Sequence, residues 1–186
     1  DQAMKWFRSA AELGNEYAAY RMGCLLLLGE EIPKDVEAAV KWLSLSAEKG
    51  NPYAQYRLGM LYLKGEEFSP QVEVAMKWLQ QAAKQKNEWA FYQLGKLYLS
   101  GEHVTKNVET AVHYLGLCAE KGNQYAQYVL GKLYLCGRDV SRDREKAVEY
   151  LTASAEQGNL YASFLLEHLD AYQDPSLFLG ATRLLH

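Results

Sequence analysis

Proline and cysteine are scarce in this sequence, four and three in 186 residues, and no long apolar run is present. So few prolines beside only fourteen glycines exclude a collagen-like or low-complexity chain. Cys24, Cys118 and Cys136 are odd in number and lack CxxC spacing, which argues against a disulfide framework and leaves buried free thiols as the expectation. The longest apolar stretches, such as "CLLLLG" from Cys24, fall far short of the roughly 20 residues that a membrane helix needs. No charged, apolar and cleavable leader opens the chain. A soluble, cytoplasmic chain without a membrane partner is therefore expected. Basic charge is also lacking: 20 Lys and Arg against 23 Asp and Glu give a net charge of -3. The electrostatic footprint of a nonspecific nucleic-acid surface is missing, so the expected partner is a protein or a small molecule, with no direct nucleic-acid contact.

Chemical motifs are missing too. There is no GxxxxGK[ST] phosphate loop, no GxGxxG following a strand and no HExxH. His103, His113, His168 and His186 are scattered, and His113 with Cys118 lies off the i, i+4 spacing of two metal ligands on one helical face. The acidic pairs Glu30 with Glu31 and Glu66 with Glu67 follow a glycine in polar stretches, and read as solvated loop ends rather than a general acid/base pair. No catalytic residue, metal site or cofactor is expected.

What is present is a period. Asn15, Asn51, Asn87, Asn123 and Asn159 recur at a constant spacing of 36 residues, each within a copy of the stretch "KGNPYAQYRLG". The same step links Gly23, Gly59, Gly95 and Gly131, the alanines 39, 75, 111 and 147, and the aromatics Trp6, Trp42, Trp78, Tyr114 and Tyr150. Within a unit, Tyr53, Ala54, Leu58, Leu61 and Tyr62 follow helical spacing, so about 13 residues after the asparagine form an amphipathic helix, A. Gly65 ends it, and a polar stretch leads to a second helix, B, marked by Ala75, Trp78, Leu79, Ala82 and Ala83. Asp35, Asn107 and Asp143 are suitable N-caps for B, whereas Gln71 is not. A glycine inside a helix costs about 0.8–1 kcal/mol relative to alanine. Its recurrence inside four A helices implies that a neighbouring backbone or ring comes too close for a methyl group. Between units, Gly50 is suited to the left-handed closure of helix B and Asn51 to capping the next A. Lys86 replaces that turn glycine in one unit, and a less relaxed turn is expected there.

The pattern "YAQYRLGMLYLKGEEFSPQVEVAMKWLQQAAKQKN" resembles a Sel1-like repeat over nearly the whole chain. Tetratricopeptide repeats are the architectural relative, with a shorter unit of 34 residues. The resemblance implies an all-α fold, a right-handed α/α superhelix, or solenoid, of stacked antiparallel helix pairs. The boundaries expected are a truncated helix B at 1–14, full repeats at 15–50, 51–86, 87–122 and 123–158, and a C-terminal cap at 159–186. Glu167 stands where the other A helices have glycine, as suits a cap with no following neighbour. The opening inside a repeat, without an initiator Met, reads as a piece of a longer protein.

Proteins of stacked helical pairs use the concave face lined by their A helices to hold a partner peptide or protein, so the expected function is a non-enzymatic interaction scaffold or adaptor. Tyr20, Tyr56, Tyr92, Tyr128 and Phe164 form one column along A, beside the column Cys24, Met60, Lys96, Lys132 and His168. The constant aromatic column suits either packing between repeats or a binding face, and the changing column suits a variable partner. Tyr20, Tyr56, Arg57, Met60, Tyr92, Lys96, Tyr128 and Lys132 are the candidate partner-binding residues. A second copy of the chain is an alternative occupant. Two other readings stand beside the scaffold. One is an accessory segment of a larger bacterial mobilisation or conjugation protein of the relaxase type, whose end regions "EHLDAYQDPSLFLGATRLLH" resembles. The other is a saccharide or small-molecule binder that uses the tyrosines.

Overall fold

A computed structural model describes residues 2–65 and 69–169. Glu66 and Glu67, His186, and all of the proposed cap and mobilisation-like segment beyond 169 lie outside the described residues. The described residues form ten helices and no strand. They are α1 (Gln2–Glu12), α2 (Glu16–Leu28), α3 (Val36–Glu48), α4 (Pro52–Lys64), α5 (Val72–Lys84), α6 (Glu88–Ser100), α7 (Val108–Glu120), α8 (Gln124–Cys136), α9 (Arg144–Glu156) and α10 (Leu160–Glu167). The even-numbered helices are the A helices of the sequence period, and the odd-numbered ones are B. Two compact units divide the chain, Asp1–Leu94 and Gly95–His186. In the first, α2 packs on α1 and α3, and α4 on α3 and α5. In the second, α8 packs on α7 and α9, and α9 on α10.

The periodic residues set the ends of these helices. Each A helix begins at an asparagine whose side-chain oxygen accepts from backbone N–H groups of the first turn, as Asn51 Oδ1 does from Tyr53 and Ala54 at 3.0 Å each. The same cap forms at Asn15, Asn87, Asn123 and Asn159. Each B helix closes in a paired turn: Gly50 N–H donates to the Ala47 carbonyl at 3.0 Å, and Asn51 N–H to the Ser46 carbonyl at 3.1 Å. That closure needs a positive φ, which is 98° at Gly50 and 62° at Lys86. Lys86 is the one non-glycine residue in this conformation among the described residues. At the start of B, Asp35, Asn107 and Asp143 each accept from a backbone N–H three residues on, whereas Gln71 makes no side-chain cap.

The helical glycines are held to their type by one contact. A Cβ placed on Gly23, Gly59, Gly95 or Gly131 would stand 2.5–2.7 Å from Cγ of Leu43, Leu79, Leu115 or Leu151 on the following B helix. For Gly59 the Ala75 carbonyl oxygen also lies within 3.2 Å. Each of these leucines is fully buried. The close neighbour is thus a leucine side chain, with backbone atoms just behind it; of the backbone or ring expected there, the backbone is found and the ring is not. Trp78 is half-buried elsewhere, against a cluster made by Leu43 and Ala47 of the preceding pair and Ala54 and Leu58 of its own. The rings bridge successive pairs, and the leucines close each pair.

Polar ties reinforce two of the repeats. Buried Gln55 donates from Nε2 to the Ala47 carbonyl at 3.1 Å and accepts on Oε1 from Gln85 Nε2 at 2.7 Å, which joins α3, α4 and α5. Gln127 does the same with Ala119 at 3.3 Å and Gln157 at 2.8 Å, which joins α7, α8 and α9. Elsewhere Ser46 Oγ donates to the Glu16 carbonyl, and Ser154 Oγ to that of Gln124, each at 2.7 Å.

Two glycines separate close packing from backbone freedom. In urea unfolding Gly59→Ala should destabilise by about 1–2 kcal/mol, because overpacking against Leu79 outweighs the gain in helix propensity. Gly116, inside α7, has nothing within 4 Å of the place a Cβ would take, so Gly116→Ala should stabilise by up to about 1 kcal/mol. Equal effects of the two substitutions would show that the contact with leucine does not govern the position. Lys86→Gly should raise stability by about 0.5–1 kcal/mol by relieving the left-handed backbone, read from the same denaturation curves.

Candidate functional site

With alanine, leucine and glycine of each A helix turned toward B, the aromatic positions fall on the remaining face. In the first unit Tyr20 of α2 lies 6.0 Å, ring centre to ring centre, from Tyr53 of α4. Trp89 of α6 in turn lies 5.8 Å from Tyr53 and 6.1 Å from Tyr56. These four rings form a ladder across three A helices. In the second unit Tyr128 of α8 lies 6.1 Å from Tyr161 of α10. Separations and tilts of this kind suit favourable aromatic pairs.

The ladder shows where each sequence candidate stands. Tyr20, Tyr56, Tyr92 and Tyr128 are half-buried, as are Arg57, Met60 and Lys132, while Lys96 is exposed. Tyr20, Tyr56 and Tyr128 each rest against an aromatic residue of the next A helix and still present an edge to solvent, so packing and surface meet in the same ring. Lys132 Nζ lies 6.0 Å from the centre of the Tyr128 ring. Cys24, by contrast, is only 7% exposed. The changing column therefore does not face a partner at its first position, because Cys24 belongs to the interior. Cys118 is buried as expected, but Cys136 is only half-buried.

Sequence reasoning passed over a second aromatic column. Tyr17, Tyr53, Trp89, Tyr125 and Tyr161 keep the 36-residue step, three positions before the tyrosine column. They are the more exposed set: Tyr53 is 40%, Trp89 46% and Tyr161 48% accessible. Their recurrence is readable in the sequence, and the signal that marks them as functional candidates is an aromatic type held next to the helix cap.

Electrostatics distinguish Tyr20 from an ordinary surface phenol. Its pKa is pushed up from 10.0 to about 12, first by burial and then by the charge and hydrogen bonding of Cys24, against the opposing pull of Arg57 and Arg21. Burial likewise raises Tyr56, opposed by Arg57, and Tyr128, where Tyr161 and Cys136 add to the shift. The hydroxyls therefore remain neutral donors. Cys136 is also raised by burial, which keeps its thiol a poor nucleophile. Among the described residues no group of three or more His, Cys, Asp and Glu could hold a metal, and no helix is long and apolar enough to cross a membrane.

The geometry is that of stacked helical pairs, and the sequence pattern of the Sel1 repeat matches residues 1–15, 16–51, 52–87, 90–123 and 124–159. The chain belongs to the Sel1 repeat family. A Sel1 repeat protein of Oxalobacter formigenes is 34% identical and superposes with a TM-score of 0.79, over 87% of this chain and 66% of its own. A protective antigen present in uropathogenic Escherichia coli, which displays the same repeat fold, is 31% identical with a TM-score of 0.82, over 86% of this chain and 34% of its own. This Sel1 array thus spans about a third of one relative and just under two thirds of the other. A Sel1 repeat protein of Klebsiella pneumoniae, 19% identical with a TM-score of 0.60 over 89% of this chain and 81% of its own, shares the fold. No curated protein matches the sequence. These relatives carry the solenoid class of fold, stacked helix pairs, to this array, and members of the family are generally non-catalytic interaction scaffolds.

The raised tyrosines give the fold an alkaline limit. A phenol whose folded pKa exceeds its unfolded value favours the folded state fully below pH 10, and that contribution is lost as pH rises through about 12. The melting temperature of the wild type should therefore fall over that window. In Tyr20→Phe, which has no phenol to ionise, the fall should be shallower. Parallel declines in the two proteins would assign the alkaline loss to other groups.

Proposed function

We propose that this Sel1 array is an adaptor that holds a peptide segment of a partner protein along the concave face lined by its A helices. The observation that carries the reading is the ladder Tyr20, Tyr53, Trp89 and Tyr56, whose rings are ordered by one another while Tyr53 and Trp89 remain close to half exposed. Rigid aromatic rings with polar tips offer large contact area at little entropic cost, and this is why such residues are concentrated in interfaces. In this reading half-buried Tyr92 and Tyr128 add contact area, and Arg57, Met60, Lys96 and Lys132 serve beside them as adaptable contacts. The array acts by shape and preorganised surface, in keeping with the generally non-catalytic character of its family. The cytoplasm is the compartment that suits its free thiols.

Partners captured by the wild-type array from its native cell and named by mass spectrometry would test this directly. Tyr53→Ser combined with Trp89→Ser should weaken a purified partner at least tenfold, on the order expected where buried aromatic anchors dominate an interface, and Tyr92→Ala with Lys96→Ala should weaken it less. The helical circular dichroism of both variants should match the wild type. Unchanged capture by both would remove the A-helix face from the binding site. Capture of glycans rather than peptides on parallel arrays would turn the ladder into a saccharide platform, on which the same ring faces stack against sugars.

A further inference from the structure

Carboxylates are divided unevenly between the two kinds of helix. In α2, α4, α6 and α8 the only carboxylates are Glu16 and Glu88, each the first residue of its helix, where the helix dipole favours an anion. Beyond the first turn these four helices carry Arg21, Arg57, Lys64, Lys96 and Lys132 and no acidic residue. Helices α3, α5, α7 and α9 carry eight glutamates between them. A chain with a net charge of -3 has thus kept carboxylates off the middle of its A helices.

In the first unit this cationic character meets the aromatic ladder. Arg21 and Arg57 both act electrostatically on the Tyr20 hydroxyl, from α2 and α4 respectively. Arg21 also lies 6.0 Å from the centre of the Phe7 ring. Neither guanidinium forms an ion pair among the described residues. A planar guanidinium matches a carboxylate through two parallel hydrogen bonds, and exposed aromatic faces beside it take apolar side chains.

We infer that the segment held by the first unit is an acidic peptide, whose carboxylates pair with Arg21 and Arg57 while its apolar side chains lie on Tyr53 and Trp89. The inference rests on the docking role proposed above and adds the chemistry of the partner. Charge complementarity carries it: among the described residues the two arginines have no carboxylate partner, and an acidic segment would meet no carboxylate of the array past the first turn of α2 or α4. A phosphate-backbone ligand is disfavoured by the same dispersion of charge, since nucleic-acid binding draws on many clustered cations.

A phage-displayed library of short random peptides, selected on the intact wild-type array, provides the probe. Recovered peptides should be enriched in Asp and Glu around an aromatic or leucine anchor. The best of them, labelled for fluorescence anisotropy, should lose roughly tenfold in affinity when its acids are changed to amides, and similarly against Arg21→Gln with Arg57→Gln. Added salt should weaken the wild-type complex, and Arg57→Lys should bind more tightly than Arg57→Gln. Enrichment of neutral or basic peptides, or affinity indifferent to both arginines, would overturn the acidic partner and leave peptide docking standing. Recovery of no peptide at all would overturn both readings. Matching thermal melts for the arginine variants and the wild type ensure that a lost signal reports binding rather than folding.

Discussion

The contact on which the rest of the architecture depends is that of a helical glycine with a buried leucine. Gly23, Gly59, Gly95 and Gly131 each receive the leucine of the following B helix. The glycine costs its helix about 0.8–1 kcal/mol relative to alanine, and full burial of a leucine returns roughly 1.5–3 kcal/mol. The exchange is favourable only if the helices approach closely enough for the leucine to lose all contact with water, which all four leucines do. Close approach also fixes the rotation of each A helix. Once its Ala, Leu and Gly are turned to B, the positions of Tyr53 and Tyr56 have nowhere to point except away from that helix. The display of aromatic rings is thus a by-product of how the pair closes.

Much of this was legible because the period is uninterrupted. The asparagine caps, the left-handed glycines after B, the weak cap at Gln71 and the strained turn at Lys86 all follow from residue type at a fixed position, and local chemistry suffices to read them. What escaped depends on neighbours in space. The glycines announced a close contact without identifying it, because a leucine and a ring leave the same signature on the residue they exclude. Cys24 looked equivalent to Met60 and Lys96 by spacing, yet its small side chain falls inside the first unit. The Tyr53 and Trp89 column repeated as faithfully as the Tyr20 column, but its greater exposure is set by the adjoining repeat, which no single helix encodes.

Electrostatics and packing converge at Tyr20. Burial makes its phenolate unfavourable, while Arg21 and Arg57 favour negative charge in the same place. The net shift is upward, so burial outweighs the pull of the two arginines at this hydroxyl. Among the described residues, the arginines are not neutralised by a carboxylate of the array itself, so the surface is polarised in advance of any encounter.

The glutamine ties have a further meaning when their positions are compared. Gln55 with Gln85 and Gln127 with Gln157 lie two repeats apart, whereas the repeats headed by Asn15 and Asn87 have Ala19 with Lys49 and Phe91 with Lys121 at those places. Lys34 and Lys106 likewise face the closing glycines of the first and third repeats, whereas Pro70 and Arg142, unlike one another, face those of the second and fourth. The array thus has two kinds of joint between its helices, one tied by a pair of glutamines and one that lacks that tie.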